Sequence, residues 1–300
     1  MSGWIATGLR WRDGAPHLAA TNGRREHERL LTPGTPVAWL LAGPRRCTGM
    51  WSTAQRRRRH CPHRSELDPG SSAVQCGPCQ SVDPGLALAR DHVLDNGQTY
   101  LLYLAWFGPG LLKVGITAEQ RGTRRLLEQA APVFTVAARG PLPAVRRAEL
   151  TIAQSGLARE RLTTRTKTDQ WWSLGDADAR RETIEQARTA ALRLLDGHDV
   201  EQFPGGPVTD QVELFGLRDG APAAYQEIIG LAAGAALAGA LRAPIGRYLF
   251  LDPAEGGRPL LLDARLLTGW TLTATDRSHC AGLELRPRRR PHEHDAPALF

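Results

Sequence analysis

The sequence predicts an α/β (α+β) fold: a ββαβα core over residues 96–175, a zinc-bearing N-terminal segment before it, and β structure on both flanks. Three observations predict it. The stretch TYLLYLAWFGPGLLKVGIT, Thr99 to Thr117, reads as two apolar strands joined by a Gly-Pro-Gly turn. Patterns for helix, strand and helix follow it. Four of the five cysteines gather in one polar stretch that precedes it.

The elements can be taken in chain order. Residues 1–95 divide into β strands and a Cys-rich loop. WIATGLRWRDGAPHLAA alternates around Asp13-Gly14, a hairpin signal, and TPVAWLLAG is a further strand candidate. In the core, the first helix falls near QRGTRRLLEQAA and the third strand is VFTVAAR. The second helix is LPAVRRAELTIAQSG, with Pro143 near its first turn and Gly156 as its stop. A connecting helix occupies residues 176–197. Asp176 can cap it, Ile184, Ala187, Ala191, Leu194 and Leu195 share a face, and Gly197 ends it. HDVEQFPGGPVTDQ reads as a linker from its Gly and Pro content. Residues 198–285 then form a small β unit from ALAGALRA, GRYLFLD, RPLLLDARL and GWTLTAT, packed on the N-terminal strands. Residues 286–300 lack apolar periodicity and are expected to be a disordered basic tail.

Composition narrows the class. The chain is 42% hydrophobic, enough for real cores, and carries a net charge of +7. A basic balance points towards an acidic partner, of which nucleic acid is the commonest. Only Lys113 and Lys167 are lysines among thirty-eight basic residues, which is also the bias of a GC-rich genome, so charge by itself does not decide. The longest apolar run, Ile228 to Leu241, falls short of the ~20 residues a membrane helix needs. MSGWIATGLRWRDG does not read as a signal peptide. The expectation is a cytoplasmic protein, away from membranes, with reduced thiols.

In that setting clustered cysteines mean metal or redox chemistry. Cys47, Cys61, Cys76 and Cys79 offer four soft ligands for a tetrahedral structural zinc, two of them from one CxxC turn. The loop holds few apolar residues, and a metal would order it. His60 or His63 can replace Cys61, and Cys280 stands apart. CGPC also invites a thioredoxin-type reading, but Gln75 precedes it and a proline follows soon after, so a long helix cannot run from it. Arg56, Arg57, Arg58 and Arg59 lie in the same loop, either as a solvated turn or as a phosphate-contacting finger.

On the core, Tyr103, Lys113, Arg125 and Glu149 suggest phosphodiester hydrolysis. A tyrosine or lysine takes a proton from water, a glutamate holds Mg2+ or Mn2+ against the phosphate, and an arginine stabilises the developing charge. The order LLY, LKVGIT, Arg125, Glu149 resembles the GIY-YIG nuclease domain over about residues 98–175. That resemblance implies a catalytic tyrosine at Tyr103, an arginine at Arg125 and a metal-binding glutamate at Glu149. Leu101-Leu102-Tyr103 stands where Gly-Ile-Tyr would, and Val114 takes the place of the second tyrosine. The chain resembles more closely an uncharacterised bacterial family, domain of unknown function number twenty-seven ninety-seven. YLA at Tyr103–Ala105, LKVGIT, Arg125, QAA at Gln129–Ala131, the cysteine loop and IGRYLFLD carry that resemblance over most of residues 35–275. The leading reading is a zinc-containing nucleic-acid-binding protein, with metal-dependent endonuclease activity as its enzymatic form. The alternative is a non-enzymatic zinc-stabilised module that binds RNA, DNA or protein. A redox protein working through Cys76 and Cys79 is a third class.

Overall fold

The computed structural model describes residues 4–22, 25–52, 57–84, 86, 95 and 97–291. β1 (Ile5–Arg12) and β2 (Ala15–Thr21) form a hairpin whose turn, Asp13-Gly14, has positive φ at both residues, 49° and 75°. That backbone twist matches the twist of paired strands. β3 (Glu26–Leu30) and β4 (Pro36–Ala42) follow, then a short pair, β5 (Met50–Ser52) and β6 (Arg57–Arg59), and a one-turn helix α1 (Gly77–Ser81). The central unit runs β7 (Thr99–Trp106), β8 (Leu112–Ala118), α2 (Arg124–Glu128), β9 (Val133–Pro141), α3 (Leu142–Gln154). Its element order is therefore ββαβα. α4 (Thr164–Asp169) and α5 (Ala177–Leu194) come next, and the Asp176 carboxylate caps α5 by accepting from the Ala179 N–H at 2.9 Å. The chain closes with β10 (Glu201–Gln202), β11 (Val208–Asp210), β12 (Ala224–Leu241), β13 (Tyr248–Asp252), β14 (Leu260–Asp263), β15 (Thr271–Ala274) and β16 (Ala281–Arg289).

Three expectations need correction. The C-terminal strands are not a separate unit: β4 lies between β12 and β15, and β15 pairs with β1, so both ends of the chain share one large sheet. The expected linker supplies β10 and β11, both paired with β9 on the smaller sheet. Residues 286–289, expected to be disordered, form the end of β16 against β12. Charge orders them where apolar periodicity is missing: Arg286 donates to Glu227 at 2.8 Å, and the buried Arg288 pairs with Asp169. Residues 292–300 of that expected tail lie outside the described residues. The apolar run Ile228 to Leu241 is part of the long strand β12. Among the described residues, no helix is long and apolar enough to cross a membrane.

The smaller sheet has two unlike faces, because side chains alternate along a strand. On one, Leu102, Leu104 and Trp106 pack with Ala148 and Ile152 of α3 and Ile184 of α5, while Tyr100 packs with Leu142 and Val145. On the other, Tyr103, Ala105 and Phe107 pack with Leu126 of α2. The two sheets meet where α2 ends. Trp11 donates its indole N–H to Gly246 O at 2.7 Å, and a Cβ on Gly246 (φ 60°) would lie 2.6 Å from Ala130 N. Only a glycine allows that approach, and it brings Arg247 towards the Tyr103 face.

Candidate metal centre and cationic site

The four cysteine sulfurs Cys47, Cys61, Cys76 and Cys79 lie within 4.8 Å of one another, and Cys61 Sγ is 3.7 Å from Cys76 Sγ. Tetrahedral thiolates at ~2.3 Å from a zinc ion stand ~3.8 Å apart, so the donor set fits such a metal. The loop is arranged to deliver them. Cys47 follows β4, Cys61 follows β6, and Cys76 sits at the N-cap position of α1, whose first turn holds Pro78. Backbone N–H groups of Gly49 and Cys76 donate to Cys47 Sγ at 3.4 and 3.2 Å, against its burial, which pushes the thiol up. Gly49 (φ 71°) cannot be replaced freely, because a Cβ would fall 1.9 Å from Arg59 O.

Polar staples do the rest. The buried Arg45 guanidinium donates to Thr268 O at 2.9 Å, Asp68 O at 3.0 Å and Ser71 O at 2.6 Å, tying the cysteine loop to the large sheet. The thiols do not ionise independently. Burial and the neighbouring cysteines push Cys79 up. Burial also opposes ionisation of Cys61, but hydrogen bonds from Ser65, Cys47, His63 and Cys76 draw it down to about 6. His60 and His63 are exposed and stand outside the group. Cys280 also stands apart, exchanging hydrogen bonds with the Ala238 backbone at 3.2 Å. Gathering all four thiols at one point departs from a redox pair, which needs two.

The second site lies on the Tyr103 face of the smaller sheet. Register pairs Tyr103 with Gly115 and Ala105 with Lys113, so the tyrosine and the lysine share that face. Gly115 makes room for both. A Cβ there would lie 2.3 Å from Tyr103 Oη and 2.9 Å from Lys113 Nζ. Lys113 Nζ donates to Val114 O at 2.9 Å and Glu160 O at 2.7 Å, and sits 5.6 Å from the Tyr103 ring centre. Gln129, just past α2, donates to Tyr103 Oη at 3.0 Å. Arg125 reaches the same region, and its Nε is buried with no hydrogen-bond partner.

Sequence reasoning passed over Lys167 of α4. It is 9% exposed, donates to Gln129 O at 3.3 Å and lies 4.1 Å over the Phe107 ring. Burial, then Lys113, Arg247 and Arg125, hold its ammonium down at about 7. Its rarity was the available signal, since it is the second of two lysines in the chain. Arg247 is already paired, with Asp263 Oδ2 at 3.0 Å. Among the described residues, Lys113, Arg125 and Lys167 have no carboxylate partner.

Glu149 does not join them. It sits on α3 between Val145 and Ile152, which pack on the Tyr100 and Leu102 side of the sheet, opposite Tyr103. The expected convergence of Glu149 with Tyr103, and with it a Mg2+ or Mn2+ site shared by the two, is not what the fold provides. The cause is the strand alternation: α2 covers one face and α3 the other. Among the described residues, the group of His, Cys, Asp or Glu side chains placed to hold a metal is the four cysteines.

The arginine run is divided. Arg56 lies outside the described residues. Arg57, Arg58 and Arg59 form β6. Arg58 turns inward: its Nε is buried, its guanidinium donates to Thr48 Oγ1 at 3.3 Å, and its N–H donates to Glu26 at 3.0 Å. Arg59 is exposed.

Neither the curated proteins nor the solved structures searched contain a match. A family of proteins of unknown function, DUF2797, matches residues 89–272. The match covers both the Tyr103 face and the C-terminal strands up to β15, and it begins after the cysteine loop, which therefore lies outside the matched residues. Because that match takes in more than half of the chain, the protein belongs to the DUF2797 family.

Proposed function

We propose that this protein is a non-enzymatic, zinc-stabilised nucleic-acid-binding module. The observation that carries the reading is the set of cations on the Tyr103 face: Lys113 and Lys167, whose partners are backbone carbonyls and aromatic rings and not carboxylates, and Arg125, whose buried Nε has no hydrogen-bond partner. Like charges gathered without a counter-charge are costly unless an anion completes them. Phosphate groups are the anions that a chain of net charge +7 would attract first. Zinc is the metal proposed for the four cysteines, where it orders the loop that Arg45 docks on the large sheet. The endonuclease form would need Glu149 beside Tyr103, and the sheet stands between them. The exposed Arg59 adds a surface contact for the strand. The test is binding of single- and double-stranded DNA and RNA by zinc-loaded protein across a salt series. Affinity should fall with salt with a slope that reports the number of phosphates held. No binding to any of these at low salt would remove the reading.

A further inference from the structure

The Tyr103 face has a depth that an ordinary backbone contact does not need. Tyr103 is 1% exposed and Lys167 is 9% exposed, while Lys113 and Arg125 are half-buried. A phosphodiester inside a strand carries ester substituents on two of its oxygens and is held at the surface by the nucleosides on either side. A terminal phosphate is attached by one bond, protrudes, and carries about −1.5 to −2 charges near neutral pH with three strong acceptor oxygens.

The donors left on this face suit that group. Lys113 has three N–H donors and spends two on Val114 O and Glu160 O. Lys167 spends one on Gln129 O. The Arg125 Nε has no partner. Tyr103 Oη accepts from Gln129 Nε2, so its own proton remains to be donated. Gly115 leaves bare backbone under the phenol and the Lys113 ammonium, letting them lie together. Arg247, neutralised by Asp263, closes the side towards the large sheet. Resting on the nucleic-acid reading above, we infer that the Tyr103 face is the seat of a terminal phosphate monoester at the end of a nucleic-acid strand, held by Lys113, Arg125, Lys167 and Tyr103.

The experiment compares one single-stranded oligonucleotide in three forms, with a 5′-phosphate, with a 3′-phosphate and with hydroxyls at both ends, alongside a nucleoside monophosphate and inorganic phosphate. One phosphorylated form should bind about tenfold or more tighter than the hydroxyl form, the size expected for charge-assisted hydrogen bonds. Lys167→Met should erase that difference, the phosphorylated form losing more affinity than the hydroxyl form. Lys113→Met, at the rim, should reduce the difference with the folded core intact, and so decides the matter if the buried variant fails to fold. Equal binding of all three forms by the wild-type protein would overturn the strand-end inference and leave the nucleic-acid reading standing. Binding of the monophosphate or of inorganic phosphate with no oligonucleotide binding would overturn both.

Discussion

The cysteine centre and the Tyr103 face are built on one plan with opposite sign. Each concentrates like groups without a counter-charge: thiols that favour a cation, and cations that favour an anion. They differ in what holds them. The thiols come from a polar loop pinned by Arg45, Gln75 and each other, with little apolar packing beneath. The cations stand on strands and helices that pack on their own, around Tyr103, Phe107 and Leu126. The difference implies that a metal held by the thiols would be part of the fold, while an anion on the Tyr103 face would be a guest in a site that folds without it.

Removing the metal is the largest test of that contrast. Structural zinc contributes on the order of 10 kcal/mol to the small domains it organises. Chelation, or Cys76→Ser, should release hydrogen-exchange protection around Cys47, Cys61 and Cys79, with β7 and β9 keeping theirs. Equal loss in both regions would make the metal a support of the whole molecule. No loss in either would mean that the thiols order the loop unaided.

The next test is on the other side. Gly115→Ala places a methyl group 2.3 Å from Tyr103 Oη, which cannot be met without moving the ring or β8. Overpacking of this kind costs about 1–3 kcal/mol. A fall in the denaturant midpoint together with weaker oligonucleotide binding is expected. Unchanged binding in the destabilised variant would separate the phenol from the anion seat.

This difference in construction also explains what could be read in advance. Cysteine is rare here and its chemistry narrow, so four of the five within one polar loop point to a shared centre before any fold is known. The hairpin over Thr99 to Thr117 is legible from its alternation and its Gly-Pro-Gly turn. Asp176 is legible as a cap because capping chemistry is local. Lys167 offered only its rarity as a signal and Arg247 none, since they reach the Tyr103 face from α4 and from the chain before β13, and no spacing links either to Lys113. Glu149 was misplaced because helical periodicity gives the edge of an apolar stripe and not the side of the sheet on which that stripe lands. The final arginines were misread because their partners, Glu227 and Asp169, are more than fifty residues away.

A smaller effect comes from Lys167 and pH. Its folded pKa, about 7, lies below the unfolded value near ~10.4. Below pH 7 both states are protonated, and the native state carries the full cost of a buried charge among Lys113, Arg125 and Arg247. Between the two pKa values the unfolded chain binds the extra proton, so stability rises with pH through that window. Wild-type protein should therefore gain about 1–2 kcal/mol between pH 6.5 and 8.5 relative to Lys167→Met, read from paired denaturant titrations of the metal-loaded forms. A parallel pair of curves would show that Lys167 is solvated in solution. The difference between the two proteins isolates this group from the titration of the thiols.

The smallest expected effect is the sharpest on mechanism, because it sets two residues of one core against each other. Arg125→Gln removes a cation from the Tyr103 face and should weaken oligonucleotide binding uniformly across sequences, lowering the salt slope by about one phosphate contact. Glu149→Gln changes a half-buried side chain on α3, across the sheet from that face. If the anion seat is confined to the Tyr103 side, this variant should bind with the affinity and salt slope of the wild type, and added Mg2+ or Mn2+ should change neither. A magnesium-dependent cleavage of the oligonucleotide that Glu149→Gln abolishes would mean the two faces communicate after all, and would favour the endonuclease form over the binding module.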